Sequence, residues 1–149
     1  SYLQQMNEYR KSVELRWGDL DSNQHVTHSR YYELGAHTRM SYFKEHGFTL
    51  EMMTAMNIGP ILFREECVFR RELNAGELVQ ISFQLSKARK DGSRWSALHQ
   101  IVKQDGTVAA ILNADLAWID LTERKLTVPA LAAALIAGMP RTDDFSWME

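Results

Sequence analysis

The residues best suited to chemistry lie in one short connection, where Asp21, Asn23 and His25 occupy alternate positions. A carboxylate can attack a carbonyl carbon or take a proton from water, and an imidazole can also serve as a base. The connection leads directly into a predicted helix, whose first N–H groups, near His28 and Ser29, can polarise a carbonyl oxygen. The stretch therefore carries the groups needed for attack on an acyl carbonyl.

Each of these side chains also has a purely structural alternative. Asp21 can close an Asx turn by accepting backbone N–H groups, and His25 can hold the loop through its ring nitrogens. We expect Asp19 to cap the loop or to form an ion pair. His25, His28 and His37 do not have the spacing of a zinc site, so no metal is expected. The roles of Asp21 and His25 stay open at this point.

A long helix is predicted to follow the polar stretch. Residues 29–46 have apolar side chains at spacings of three and four, with Thr27 or Ser29 available as the N-cap and Gly47 as the stop. Gly35 within this helix costs roughly 1 kcal/mol relative to Ala, which indicates a close approach of another element.

Five segments alternate in the manner of strands. They are residues 12–17, with Val13, Leu15 and Trp17 on one face, and residues 61–71, 77–89, 94–103 and 107–120. Turns that contain Asp-Gly separate the later segments and favour an antiparallel meander. A helix that is apolar over much of its circumference must be covered by the sheet. We therefore predict a single α+β domain over residues 1–149, in which a curled antiparallel sheet of about five strands wraps around one long central helix.

The remaining segments and the composition complete this prediction. The core spans about residues 12–129, a short apolar helix is expected within 50–58, and a C-terminal helix and polar tail occupy 130–149.

The chain is 45% hydrophobic and has a formal net charge of -2. This composition favours a soluble globular protein and gives no overall positive field that would attract nucleic acid. Cys67 is the only cysteine, and no apolar run is long enough to cross a membrane, so we expect a cytoplasmic protein.

Several motifs together resemble the hotdog-fold thioesterase superfamily, in particular the 4-hydroxybenzoyl-CoA and acyl-CoA thioesterase group. They are Trp17-Gly-Asp-Leu-Asp21, His25-Val26, Tyr31, Trp118-Ile-Asp120 and Arg124-Lys125. The Asp-x-Asn-x-His spacing of Asp21, Asn23 and His25 is similar to that of acyl-ACP thioesterases. The chain departs from relatives at Thr27-His28, where they often have Asn-Asn, and at Asn23 or Gln24, where many have Gly.

The resemblance implies hydrolysis of an acyl-CoA, or of an acyl-ACP, to the free acid and thiol. It implies Asp21 as nucleophile or general base, either alone or with Asn23 and His25, and substrate contacts from His28, Ser29 and Tyr31. Coenzyme A is expected only as part of the substrate, with no separate cofactor.

A basic cluster crowds the second hairpin, formed by Lys87, Arg89, Lys90 and Arg94. As a sequence feature it fits a solvated hairpin tip. The resemblance gives it a second interpretation, because family members often bind the phosphates of coenzyme A with basic side chains from a neighbouring subunit. It also implies a homodimer or homotetramer with active sites at the subunit interface.

Two other functions remain open for this fold. Hotdog hydratases and dehydratases also act on acyl thioesters, but their loop typically reads Asp-x-Asn-Pro-x-His, one residue longer and with a proline that this chain lacks. A non-catalytic acyl-thioester-binding domain would not need a reacting carboxylate, so the presence of Asp21 argues against it.

Overall fold

The computed structural model of the protein describes residues 7–149 and contains one curled sheet with three α-helices. The strands are β1 (Tyr9–Glu14), β2 (Ile58–Phe69), β3 (Leu78–Arg89), β4 (Arg94–Lys103), β5 (Val108–Asp120), β6 (Leu126–Thr127) and β7 (Arg141–Met148). The helices are α1 (His28–Glu45), α2 (Leu50–Met56) and α3 (Ala132–Ala137), and a short 3-10 helix spans Trp17–Asp19.

The main strands lie in the order β1-β3-β4-β5-β2, and each neighbouring pair is antiparallel. β1 pairs with β3 up to Phe83, and β7 then pairs in parallel with β3 from Leu85 to Arg89. β6 pairs with the end of β5. The predicted meander is confirmed for β3, β4 and β5, whereas β2 pairs with β5 instead of β3, and the sheet of the described residues has seven strands instead of about five.

The two additional strands come from segments with weak strand signals. β6 contains only two residues, and β7 carries Asp143 and Asp144, which have low strand propensity. β7 lies in the region predicted to be a polar tail. It pairs with the part of β3 that lies beyond Phe83, the partner of Tyr9 at the beginning of β1.

The first strand differs from its prediction over residues 12–17. It ends at Glu14, and Trp17, which we expected on the buried face, is 77% exposed. The backbone N–H of Arg16 donates to a carboxylate oxygen of Asp19 at 2.9 Å. This hydrogen bond stabilises the turn of the chain into the 3-10 helix. The alternation therefore stops at Leu15, which is buried.

Helix α1 packs closely against the concave face of the sheet. A Cβ atom added to Gly35 would lie 3.2 Å from Cδ2 of His99 on β4, so the close approach indicated by this glycine is confirmed. Glycine is favoured here because the ring of His99 occupies the space of a side chain.

The core consists of two apolar clusters at opposite ends of α1. The loop-end cluster contains Leu15, Val26, Tyr31, Leu34, Leu73, Val79, Ile81, Ile101 and Leu112, among others. The hairpin-end cluster contains Tyr42, Phe43, Phe48, Phe83, Leu85, Trp95, Leu116, Trp118 and Ile136, among others. Arg39 and His99 lie between them, joined by a 2.9 Å hydrogen bond, and Arg39 also faces Glu65 at 3.8 Å. A polar layer therefore divides the apolar core.

Candidate active site

The Asp21–His25 connection is a tight, closed loop at the start of α1. The N–H of Asp21 donates to the carbonyl of His25 at 2.7 Å, and Leu20 forms an isolated β-bridge with Val26. Gln24 occupies the left-handed backbone region with φ of 67°. These contacts fix the polar side chains on the exposed outer side of the loop.

Asp21 lies at the base of this loop with its carboxylate only half engaged. Its Oδ1 accepts hydrogen bonds from the N–H groups of Asn23 at 2.8 Å and His25 at 3.1 Å, which is the Asx turn of the structural alternative. Within residues 7–149, Oδ2 accepts no hydrogen bond and the side chain is exposed. One oxygen therefore orients the carboxylate while the other is open to a substrate or a water molecule.

The first turn of α1, which follows this loop in the chain, provides open donors. Thr27 is the N-cap residue, but its side chain makes no capping hydrogen bond and instead contacts the hydroxyl of Ser29 at 3.3 Å. The N–H groups of His28 and Ser29 have no hydrogen-bond partner in the described part of the chain. The positive end of the helix dipole and two free N–H groups thus lie at the point where the loop enters α1.

His25 is held from a distant segment. Its Nε2 lies 3.4 Å from a carboxylate oxygen of Glu72, and both side chains are largely exposed. The two residues border a cavity of about 290 Å³ that opens beside the loop. Its lining comprises His25, Val26, His28, Tyr31, Phe69, Arg70, Arg71, Glu72 and Leu73.

Aromatic contacts form the floor of this cavity. The ring of His28 stacks on Phe69 with centroids 4.5 Å apart, and Tyr31 meets the same ring edge-on at 4.8 Å. Tyr31 is only 4% exposed, and burial raises the pKa of its hydroxyl. Tyr31 therefore supports the site from below, whereas His28 and Ser29 lie at its surface.

Asp19 has the structural role that the sequence predicted. It is 6% exposed, and its carboxylate forms an ion pair with Arg30 at 3.1 Å in addition to the bond from Arg16. Its carbonyl accepts the N–H of Thr27 at 2.9 Å. Asp19 thus ties the loop to the first turn of α1.

The predicted phosphate-binding residues lie far from this loop within one chain. Lys87 and Arg89 end β3, Lys90 follows in the turn and Arg94 begins β4. The opposite end of β3 is the one next to the loop, because Leu78 pairs with Glu14. A strand of 12 residues spans roughly 40 Å, so these cations cannot reach Asp21 of the same chain.

The structure gives no evidence within residues 7–149 for a reactive thiol or for a cluster of metal-binding side chains. Burial raises the pKa of the Cys67 thiol to about 11, with Glu65 adding to the shift, so the thiol stays protonated near neutral pH. Among residues 7–149, no group of three or more His, Cys, Asp or Glu side chains is arranged to hold a metal ion. The described helices include none that is long and apolar enough to cross a membrane.

The strand that ends at Phe69 supplies the site residues that the sequence did not indicate. Phe69, Glu72 and the two arginines between them reach the loop because β2 pairs with β5 and runs back towards the start of α1. No local motif marks them, since their role depends on the topology of the sheet.

Comparison with known proteins agrees with this arrangement. The family model of the thioesterase-like superfamily matches residues 15–138 of the chain. The chain belongs to the thioesterase-like superfamily. No curated protein sequence matches the chain significantly.

Solved structures of this thioesterase fold are similar over most of their length. A 1,4-dihydroxy-2-naphthoyl-CoA thioesterase from Synechocystis is 14% identical, with a TM-score of 0.78 over 87% of this chain and 96% of that one. A Staphylococcus aureus protein in complex with CoA is 16% identical, with a TM-score of 0.79 and coverage of 95% and 90%. The probable thioesterase YbaW from Escherichia coli is 24% identical, with a TM-score of 0.74 and coverage of 89% and 98%. At these identities the likeness establishes the shared hotdog fold.

Proposed function

We propose that this member of the superfamily hydrolyses an acyl thioester, with Asp21 as the reacting carboxylate. The observation that carries the proposal is the half-engaged carboxylate of Asp21 in a loop that leads directly into the open N–H groups of His28 and Ser29. Hydrolysis needs an attacking group and donors aimed at the oxygen that becomes negative, and the two features supply both.

In the proposed reaction the N–H groups of the first helical turn hold the thioester carbonyl oxygen. The open Oδ2 of Asp21 then attacks the carbonyl carbon, or takes a proton from a water molecule that attacks. The C–S bond breaks, the thiolate leaves, and in the first route water hydrolyses the resulting anhydride. We assign Asn23 to orient the water and His25, held by Glu72, to protonate the leaving thiolate.

We further propose that the active unit is a dimer formed along β2. This strand is the last in the sheet order, and within the described residues it pairs only with β5. The strand carries large apolar side chains that are 42 to 49% exposed, namely Leu62, Phe63, Val68 and Phe69. An open, apolar strand edge favours pairing with a second copy.

Such a dimer would complete the site from two chains. If two β2 strands pair in an antiparallel manner about a two-fold axis, the loop end of one chain lies at the same end as the β3-β4 hairpin of its partner. The basic side chains of that hairpin would then be within reach of the phosphates of a coenzyme A whose thioester lies at Asp21. This favours acyl-CoA over acyl-ACP as the substrate.

We place the reaction in the cytoplasm, where a free cysteine such as Cys67 remains reduced.

The test is an assay of thiol release from a panel of acyl-CoA and acyl-ACP thioesters with purified protein. Asp21→Asn keeps an oxygen that can accept the two backbone N–H groups but removes the reacting charge, so we expect kcat to fall by a factor of roughly 100 or more. Asp105→Asn is the matched control, because Asp105 accepts the N–H of Thr107 at 2.9 Å in a similar turn. Its activity should equal that of the wild type.

Turnover of Asp21→Asn at the wild-type rate would refute the assignment of Asp21. Hydration of an enoyl thioester without thiol release would favour the hydratase alternative, and binding without turnover would favour a binding domain. In a single turnover in ¹⁸O-labelled water, label in the Asp21 carboxylate would identify the nucleophilic route, with water attacking the Asp21 carbon of the anhydride.

A further inference from the structure

The turn between β3 and β4 carries four cations and one carboxylate, that of Asp91, whose pKa is lowered by hydrogen bonds from Ser93 and by the nearby charge of Arg89. Among residues 7–149, no carboxylate lies within ion-pair distance of Lys87, Arg89, Lys90 or Arg94. The guanidinium of Arg94 stacks over the ring of Phe63 at 4.5 Å, and the buried Nε of Arg89 has no hydrogen-bond partner. We call these four residues with their turn the basic hairpin. Four cations against one carboxylate leave this turn with an excess of positive charge, which attracts a polyanion.

The tip of the basic hairpin is locked against helix α3. Gly92 has φ of 77°, and a Cβ atom there would lie 2.4 Å from the carbonyl carbon of Ala132, the first residue of α3. The indole Nε1 of Trp118 donates to the carbonyl of Gly92 at 2.8 Å from the core side. The tip is therefore held between the core and α3, with no room for a side chain at residue 92.

Strand β7 fixes the side of the same hairpin. Ser146, Trp147 and Met148 pair with Lys87, Ala88 and Arg89, which is the part of β3 that β1 does not cover. β7 also lies beyond residues 15–138, which the family model matches. The segment 130–149 thus contributes a helix that meets the tip of the basic hairpin and a strand that pairs with its first strand.

We propose that this segment, α3 with β7, positions the basic hairpin to bind the phosphates of the coenzyme A portion of the substrate. The inference rests on the proposed function and adds a positioning element to it. Because β7 holds the backbone of Lys87 and Arg89 and α3 holds the tip, the cations are preorganised and lose less freedom on binding. The segment acts through the hairpin and has no contact with the reacting carbonyl.

Kinetics with two matched substrates test the proposal. One is an acyl-CoA, and the other is the N-acetylcysteamine thioester of the same acyl group, which has no phosphates. Gly92→Ala and Ser146→Pro should each raise KM for the acyl-CoA about tenfold, as expected for the loss of one or two charge-assisted contacts. Their kcat, and both constants for the short thioester, should stay within about twofold of the wild type.

Gly106→Ala is the control for substitution at a turn glycine. Gly106 has φ of 90° in the β4-β5 hairpin, and a Cβ atom there would contact nothing within 4 Å. Its kinetics with both substrates should match those of the wild type. Equal losses on the two substrates in Gly92→Ala and Ser146→Pro would show a general structural role and overturn the proposal.

A measurement on the wild-type protein tests the positioning role of β7 even if both variants fail to fold. Coupling between two sites is reciprocal, so if docking of β7 favours binding of the phosphates, bound coenzyme A must favour docking of β7. Coenzyme A should therefore slow amide hydrogen exchange over residues 144–148, and pantetheine should not. No slowing, or equal slowing by the two compounds, would overturn the proposal. Because this test needs no turnover, it is independent of whether the protein is a thioesterase.

Discussion

His99 is a buried histidine whose surroundings favour the neutral form of its ring. Its side chain is fully buried, its Nδ1 lies 2.9 Å from the carbonyl of Ser82, and its Nε2 lies 2.9 Å from Arg39. A carbonyl can only accept, so Nδ1 carries the proton and Nε2 accepts from the guanidinium. Burial, followed by the charge of Arg39, lowers the pKa of His99 to about 3.

We predict that His99 makes the protein sensitive to mild acid. The unfolded chain takes up a proton at this residue near pH 6.5, whereas the folded chain does not until about pH 3. The stability that neutral His99 provides is thus complete above pH 6.5 and is lost as the pH falls below it. The free energy of unfolding should drop by about 2 kcal/mol between pH 7 and pH 5 from this residue.

Urea unfolding of the wild type and His99→Gln at the two pH values measures this effect. Glutamine can accept from Arg39 and donate to Ser82, but it does not titrate, so its stability should change less with pH. Burial raises the pKa of Glu65, which contributes with the opposite sign, and both proteins share that contribution. An identical pH dependence in both proteins would contradict the prediction.

Residue types at the loop were sufficient to find the candidate site, because its members follow one another in the chain. Asp21, Asn23 and His25 lie together by adjacency, and the roles assigned to them stay predictions. The contact of His25 with Glu72 could not be foreseen, since 46 intervening residues separate the two positions.

At the scale of elements, the packing of α1 against β4 depends on one glycine. The Cβ of an alanine at residue 35 would meet His99 at 3.2 Å and Leu112 at 3.6 Å. His99 cannot move away easily because hydrogen bonds hold both of its ring nitrogens.

We predict that Gly35→Ala lowers the free energy of unfolding by about 1 kcal/mol, since the crowding outweighs the gain in helix propensity of similar size. A double-mutant cycle with His99→Ala is the control. In that background the ring is absent, so Gly35→Ala should stabilise the protein. Stabilisation by Gly35→Ala alone in thermal or urea unfolding would show that the helix is free to move.

Element boundaries were predictable where side chains alternate and not where a single contact redirects the chain. The central helix and the four later strands follow from their periodicity. The end of β1 depends on the bond from Arg16 to Asp19, and β7 depends on its pairing with the second half of β3. Neither contact has a signature in the local pattern of the sequence.

At the scale of the whole molecule, the proposed dimer makes a direct prediction. The wild type should have the mass of two chains, or of four, in size-exclusion chromatography with light scattering at micromolar concentration. Leu62→Lys with Val68→Lys puts charge on the edge of β2 and should shift the mass towards one chain.

Leu126→Lys is the control, since Leu126 is 53% exposed but lies on β6, away from that edge. If the site spans two chains, the double variant should also lose turnover of acyl-CoA. If the wild type has the mass of one chain and still hydrolyses acyl-CoA, the proposal of a dimer is wrong but the proposed chemistry stands.

The polar layer of Arg39 and His99 also bears on how this protein can diverge. The cluster beside the loop and the cluster beside the hairpin have few contacts in common, because the layer lies between them. Substitutions in separated groups of residues combine additively, whereas those in one packed cluster do not. Side chains under the Asp21–His25 loop can therefore change volume while the far half of the core keeps its packing. Because the interior is divided, substitutions at the loop end of the core need not lower the stability that the hairpin end provides.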